Sequence, residues 1–184
     1  MALHQNTSTD SDRIVLGNYK METAPSAAGT FVNLGAGQLT SWAHQFEKFT
    51  TQAGNAPDPL EGIATETASF GFDLLEYDAS VLSVLQCGLV SAVVTTSLST
   101  INAGGNTVLT HRAWRLTNTR YISGTTVQTI ITMYRGVIDN GMSLVSKSDN
   151  DTDPMNAYQF SVTCELDSTL TVGSQLYNIA KTEV

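Results

Sequence analysis

The histidines are the first side chains to weigh as chemical groups, because a neutral imidazole can act as a base or bind a metal. They stand at His4, His44 and His111, without a His-Glu-x-x-His motif or any pair four residues apart. His4 falls in a polar N-terminal arm, and the two that remain are fewer than a usual zinc site needs. We therefore predict no metal site. We expect His44 and His111 to lie on solvated strand faces or to make an ordinary hydrogen bond.

The acidic run 149–153 (DNDTD) is the segment that most resembles a metal site. Its alternating oxygen-bearing side chains match the start of a calcium loop. A full EF-hand loop has glycine at its sixth position and glutamate at its twelfth. This sequence has Pro154 and Phe160 at those positions. The favoured interpretation is a solvated acidic turn, and weak calcium binding is the alternative.

Motifs that activate a nucleophile or hold a phosphate group are absent from the sequence. There is no Gly-x-Ser-x-Gly elbow. Gly104 and Gly105 lack both the spacing and the following Lys-Ser/Thr of a phosphate-binding loop. Cys87 and Cys164 are too few and too far apart for a disulfide framework or a zinc knuckle, and we expect both thiols to be buried. The sequence therefore predicts no catalytic residue, no cofactor and no enzyme activity.

Three arginines, Arg112, Arg115 and Arg120, form the one basic cluster of the sequence. With Trp114 and Tyr121 among them, they could stack on bases and contact phosphates. The chain as a whole is acidic, however, and three arginines alone attract nucleic acid weakly. Because arginine is enriched in protein interfaces, we favour ion pairs with an acidic neighbouring chain. The three arginines are thus candidate subunit-interface residues.

The composition excludes several classes of protein. The 184 residues include 17 acidic and 9 basic side chains, for a formal net charge of −8, and 41% of the residues are hydrophobic. This length suggests one domain, and the negative charge disfavours non-specific binding to nucleic acid. The hydrophobic fraction disfavours wholesale disorder, and the apolar stretches are too short to span a bilayer. Residues 1–20 lack the pattern of a signal peptide, so we expect synthesis in a reducing cytoplasm.

Threonine and serine, with 25 and 17 residues, dominate the composition. Threonine is β-branched and suits a half-solvated pleated surface, so this bias predicts antiparallel sheet. In residues 64–75, Ala68, Phe70, Phe72 and Leu74 alternate with small or polar residues. This alternation predicts a strand with one buried face.

Further strands follow from the same kind of pattern. Alternation places Tyr158, Phe160, Val162 and Cys164 on one face of a strand. Trp42, His44 and Phe46 also alternate with wetter neighbours, and other strands are predicted at 11–20, 89–100, 107–122, 125–138 and 142–146. Turns are predicted at 101–106, at Ser123-Gly124 and at Asp139-Asn140-Gly141, where Asn-Gly favours positive φ.

The apolar period changes from that of a strand to that of a helix at Asp78. Val81, Leu82 and Leu85 recur at helical spacing. Asp78 can cap the first turn, and Gly88 stands where the helix would stop. The sequence therefore predicts one short α-helix at 78–86, packed on the sheet by its apolar stripe.

Residues 50–61 (TTQAGNAPDPLE) form the longest turn-like stretch in the first half of the chain. Its prolines remove backbone donors and hold the chain extended, so no regular element is expected there. A loop of this length in a compact domain is often functional. Its candidate residues for contact with other subunits are Gly54, Asn55, Pro57, Asp58 and Pro59.

Two segments resemble the phage tail tube (major tail) proteins. In residues 66–82 a strand that ends in Leu-Leu-Glu-x-Asp runs into a short helix, as it does in that family. The segment 141–154 and the strand at 158–163 that follows it are also similar to theirs. Together the resemblance covers most of residues 61–166.

The resemblance implies an antiparallel β-sandwich or small barrel with one short packed α-helix, extended arms and a long loop. It implies a flexible N-terminal arm at 1–10, a β domain at 11–166 and a C-terminal segment at 167–184. Six copies would form a ring, and stacked rings would form a virion tail tube, made in the host bacterial cytoplasm, that conducts the phage genome. The loop and the terminal arms would cross subunit boundaries.

The implied partners are the chain itself and other tail proteins, namely the tape measure, terminator and tip. DNA would pass without specific contact, and no membrane or cofactor would be involved. The acidic total suits such a conduit, because a lumen that repels phosphate lets DNA slide. We therefore expect acidic side chains on the lumen wall and the arginines at subunit seams.

Two other classes of protein remain open. A neck, tail-terminator or capsid decoration protein would share the composition and the strands, but it would form a single ring or cap. A carbohydrate-binding β-sandwich would expose several aromatic side chains on one face, for which only Trp42 and Trp114 are candidates.

Overall fold

The computed structural model describes residues 17–51, 60–75, 90–94, 99–103, 108–122, 124–148 and 154–183. Nine β-strands occupy most of these residues. They are β1 (Gly17–Ala24), β2 (Val32–Thr51), β3 (Leu60–Leu74), β4 (Val90–Val94), β5 (Ser99–Ala103), β6 (Arg112–Ile122), β7 (Thr125–Ser148), β8 (Pro154–Cys164) and β9 (Tyr177–Glu183). The predicted mainly β fold is confirmed. The helix predicted at 78–86 lies outside the described residues.

Antiparallel pairing closes the main sheet on itself. The strand order is β6-β1-β2-β3-β8-β7, and β7 pairs again with β6, so six strands form a small closed barrel. Strand β9 pairs with residues 127–133 of β7 and extends the sheet by one strand. Strands β4 and β5 form a separate two-stranded hairpin. Closure protects the sheet edges that an open sheet would expose.

The barrel interior is filled by the alternate side chains of these strands. Phe70 and Phe72 of β3 are both 1% exposed, and the predicted alternation around them is confirmed. Phe160, Val162 and Cys164 of β8 face the same interior, again as predicted. The buried core comprises Tyr19, Met21, Leu34, Leu39, Ala68, Phe70, Phe72, Leu74, Trp114, Leu116, Ile131, Met133, Ile138, Phe160, Val162, Cys164 and Leu176.

Strand β7 corrects the prediction of a turn at Asp139-Asn140-Gly141. The strand continues through these residues to Ser148, and only the register against β8 shifts between Ile138 and Met142. Strand β8 pairs with β7 on both sides of this irregularity. The partner strand therefore holds the segment extended despite its local preference for a turn, and the chain shifts register here without reversing direction.

Other strands also begin or end at residues different from those predicted from the sequence. Instead of the single strand predicted at 89–100, the structure has two paired strands, β4 and β5. Strand β5 also includes residues 101–103, which were predicted to form a turn. The strand predicted at 107–122 begins only at Arg112, and the first strand runs on to Ala24. Ile122 pairs with Thr125 and Gly124 has a φ of 88°, as the turn predicted at Ser123-Gly124 requires, while Ser123 itself lies outside the described residues. The acidic run 149–153 lies outside the described residues.

The loop predicted at 50–61 is shorter than expected. Thr50 pairs with Glu61, and Thr51 pairs with Leu60, so both ends of the predicted loop belong to a hairpin of β2 and β3. The two strands extend the hairpin because cross-strand pairing satisfies their backbone groups. The candidates Gly54, Asn55, Pro57, Asp58 and Pro59 fall between the strands, in the undescribed residues 52–59.

Candidate assembly surface

The hairpin of β2 and β3 extends well beyond the barrel. Strand β8 pairs with β3 only from Ala68 to Leu74, and β1 pairs with β2 only as far as Leu39. Residues 45–51 of β2 pair with residues 60–67 of β3 and with no further strand among the described residues. We call this two-stranded extension the arm.

One face of the arm continues the face that lines the barrel core. Trp42 of β2 pairs with the buried Phe70, so their side chains share the core face. Two and four residues further along β2, alternation brings His44 and Phe46 to that same face. Ile63 of β3 pairs with Lys48 and lies there too. The alternation that places apolar side chains in the core therefore continues along the arm, where the same face is exposed to solvent.

The apolar side chains of this face are exposed in the single chain. Phe46 is 55% exposed and Ile63 is 58% exposed. Phe49, on the opposite face of the arm, is 41% exposed. A two-stranded hairpin with large apolar side chains in water is marginally stable alone, and uncovered apolar patches mark interaction sites.

Polar pairs lie beside these apolar side chains. Nζ of Lys48 is 3.8 Å from Oε2 of Glu61, near the tip of the arm. At its root, Nε2 of His44 is 2.7 Å from Oε1 of Glu66, while Nδ1 is 3.3 Å from the hydroxyl of Tyr177. His44 is thus on a solvated strand face, as predicted. Polar groups around an apolar centre are the usual arrangement of a protein interface.

The three arginines do not form one patch. Arg115 lies on the outer face of β6, with its Nε donating to Oε2 of Glu22 at 2.8 Å and its guanidinium 4.0 Å from the ring centre of Phe31. Arg120 pairs with the buried Val127 and therefore lies on the other face of the strand. Nε of Arg112 donates to Oγ1 of Thr23 at 3.2 Å.

Arg115 thus has an acidic partner within its own chain. No sequence pattern indicates this pair, since Glu22 and Arg115 are 93 residues apart and meet only because β1 pairs with β6. A role of Arg112, Arg115 and Arg120 at a subunit interface stays a prediction.

Glu22 accepts hydrogen bonds from two cations. Nζ of Lys20 lies 2.9 Å from Oε1, and Nε of Arg115 lies 2.8 Å from Oε2. Burial alone would raise the pKa of Glu22, but the hydrogen bonds and charges of Lys20 and Arg115 outweigh it and hold the pKa below its usual range. The folded state therefore favours the ionised carboxylate.

The lowered pKa of Glu22 predicts a pH-dependent loss of stability in Glu22→Gln. A depressed folded-state pKa contributes stability above the unfolded value and loses it as the pH falls through the folded value. We expect the variant to be about 1–2 kcal/mol less stable at neutral pH. The difference should vanish in acid below the pKa of Glu22.

Urea unfolding of the monomer across pH measures this difference. Glu183→Gln, at an exposed position of β9, is the matched control and should show no such trend. A Glu22→Gln penalty that persists unchanged in acid would contradict the role of the carboxylate charge.

Cys164 and His111 are the remaining groups of the sequence analysis that the structure describes. Burial raises the pKa of the Cys164 thiol to about 12, and the charge of Asp139 adds to this, so the thiol is protonated and unreactive. Cys164 is buried and free, as expected, and Cys87 lies outside the described residues. Nε2 of His111 is 3.4 Å from Oε2 of Glu165, just before β6 begins.

Among the described residues, no group of three or more His, Cys, Asp or Glu side chains could hold a metal ion. In the same residues no helix is long and apolar enough to cross a membrane.

Comparisons with known proteins give little. No family model matches the chain, and no curated protein matches it. A solved structure titled "Crystal structure of Hcp protein" is similar over 91% of this chain and 99% of that chain, with a TM-score of 0.38 and 8% sequence identity. A similarity this low carries no inference about function, which must come from the residues of this chain.

Proposed function

We propose that this chain is a structural subunit that assembles with copies of itself into rings, and that the rings stack into the tail tube of a bacteriophage. The observation that supports self-assembly is the arm, whose core-continuous face presents Phe46 and Ile63 to solvent. A second copy of the chain would cover that face and complete its packing.

The arm has the features of a surface made for a protein partner. Apolar burial is the main favourable term in association, and the exposed face offers two large apolar side chains beside the ion pair Lys48–Glu61 and the hydrogen-bonded pair His44–Glu66. The open backbone edges of the arm are aggregation hazards unless something covers them. A fixed position in a ring of identical subunits removes that hazard and repeats the same contact at each boundary.

The tube and its genome cargo rest on the resemblance of residues 66–82 and 141–163 to the tail tube proteins. Six copies per ring, a place in the virion tail, and contact with tape measure, terminator and tip proteins follow from the same resemblance. The net charge of −8 suits a conduit for DNA, because like charge keeps the polyanion from adhering. We propose no catalytic activity and no cofactor.

Residues 52–59 connect Thr51 to Leu60, the last paired residues of the described arm, along the chain. We therefore propose that Gly54, Asn55, Pro57, Asp58 and Pro59 contact the next ring.

Deletion of residues 54–59 tests this arrangement. The shortened chain keeps every pair of the described arm, so it should fold and form rings, but the rings should fail to stack. Negative-stain electron microscopy of the deletion beside the unmodified chain measures both steps. Tubes from the deletion would contradict the role of residues 54–59, and single unstacked rings from the unmodified chain would favour a neck or terminator protein instead.

A further inference from the structure

A clasp of four side chains joins the C-terminal strand to the root of the arm. It consists of Trp42 and His44 of β2, Glu66 of β3 and Tyr177 of β9. The ring of Tyr177 meets the ring of Trp42 edge-on, with 5.3 Å between centroids, and meets that of His44 edge-on at 5.5 Å. Such edge-to-face contacts are favourable aromatic geometries.

A chain of hydrogen bonds runs through the imidazole. With the proton on Nε2, His44 donates to Oε1 of Glu66 at 2.7 Å and accepts from the hydroxyl of Tyr177 at 3.3 Å. Both ring nitrogens then have a partner, and the arrangement links β9 to the hairpin of β2 and β3, which is distant from it in sequence. Tyr177 and His44 are separated by 133 residues.

The clasp lies where the arm loses its support from the barrel. Going along β3 towards the arm, pairing with β8 ends at Ala68, which also pairs with His44 of β2. Beyond that point the arm has no third strand among the described residues. The clasp therefore lies at the junction between the six-stranded barrel and its two-stranded extension.

The segment that supplies Tyr177 is itself firmly attached. The backbone N–H of Glu165 donates to the carbonyl of Arg135 at 2.9 Å, and that of Tyr134 donates to the carbonyl of Leu176 at 3.3 Å. Leu176 is buried in the core, and Tyr177 pairs with Met133 of β7. Tyr177 is thus anchored to the barrel by its backbone pairing and by its buried neighbour Leu176, so its side chain can hold the arm in place.

We infer that residues 165–183 brace the arm through Tyr177 and set its direction for docking on a second copy of the chain. The docking part of this inference rests on the proposed function, whereas the bracing of the arm does not. The side chains of His44 and Glu66 are 36% and 33% exposed, so this pair adds little to the stability of the barrel. Its effect should therefore be local to the arm.

Tyr177→Phe tests the brace by removing the hydroxyl and keeping the aromatic ring. In the dilute monomer, amide hydrogen exchange in residues 45–51 and 61–67 should become roughly three- to tenfold faster, as expected for loss of one hydrogen bond. Exchange in β6 should stay unchanged. Tyr177→Ala, which also removes the contact with Trp42, should show the larger change, and association should weaken in the same order.

Tyr121→Phe is the matched control, because the side chain of Tyr121 is largely exposed on β6, away from the arm. Unchanged exchange of the arm in both Tyr177 variants would overturn the brace, and so would equal acceleration throughout the barrel. Failure of the proposed function would show separately, as an unmodified chain that never associates although its arm responds to Tyr177→Phe.

Discussion

Replacing Phe46 and Ile63 together by serine should abolish self-association while leaving the barrel folded. Both side chains lie on the exposed face of the arm, outside the packed core. In the single chain they are already largely in water, so their loss should cost the monomer little. In the assembly they would be buried, and their loss should cost binding.

The size of this effect follows from apolar burial. A fully buried Phe or Ile contributes about 1.5–3 kcal/mol relative to exposure. Phe46 and Ile63 are 55% and 58% exposed, so assembly can bury only about half of that value for each. Loss of both should therefore weaken each contact by about 2–3 kcal/mol, or roughly 30- to 150-fold in the dissociation constant. Sedimentation velocity of the variant should show monomer at concentrations where the unmodified chain forms rings.

Phe49→Ser is the matched control for this variant. Phe49 lies on the opposite face of the same arm and is also exposed, at 41%. Its replacement should leave most of the association intact if the core-continuous face is the docking face. Association of the Phe46→Ser, Ile63→Ser variant at the strength of the unmodified chain would contradict that assignment.

Gly37→Ala should destabilise the barrel more than any surface change. Gly37 pairs with Tyr19 of β1 and with Leu74 of β3, so it lies where three strands meet. A Cβ atom there would collide with the carbonyl oxygen of Asp73 and with the ring of Phe72, both in the buried interior. Backbone and packed core cannot shift cheaply, so we expect a loss of about 3 kcal/mol.

Urea unfolding of the dilute monomer measures this loss, and Gly62→Ala provides the control. A Cβ at Gly62 would meet only the ring end of Phe49, at 2.5–2.6 Å, and that exposed side chain can turn away. Gly62→Ala should therefore cost little. A Gly37→Ala variant as stable as the unmodified chain would contradict the close approach of β2 and β3 at that position.

Strand patterns with strict alternation could be predicted from the sequence. Phe70 and Phe72 in β3, and Phe160 and Val162 in β8, are buried as their spacing indicates. Local turn signals were less reliable where a partner strand opposed them. At Asp139-Asn140-Gly141 the pairing of β7 with β8 on both sides overrides the preference for a turn.

The candidate site was only partly visible in the sequence. The alternation of Trp42, His44 and Phe46 indicated a strand with one wetter face, and that strand carries the arm. What the pattern could not show is where the barrel ends, because that depends on which residues of β3 pair with β8. The contact of Tyr177 with His44 was equally hidden, since distant strands bring the two residues together.

The three arginines show a limit of proximity in sequence as a guide to a shared surface. Arg112, Arg115 and Arg120 are close in sequence, but strand alternation places Arg115 and Arg120 on opposite faces. Residues an odd number apart on a strand cannot share a face without a bulge. Proximity in sequence therefore overstated how far these three side chains can act as one surface.

Sedimentation velocity of the unmodified chain over a wide concentration range tests self-assembly most directly. We expect a concentration-dependent series of species, from monomer through a discrete ring to larger stacks. Ammonium sulfate should shift this series towards the larger species, because excluded salts strengthen apolar burial. A single monomeric species at every concentration, with and without sulfate, would contradict the proposal that the arm docks on a second copy of the chain.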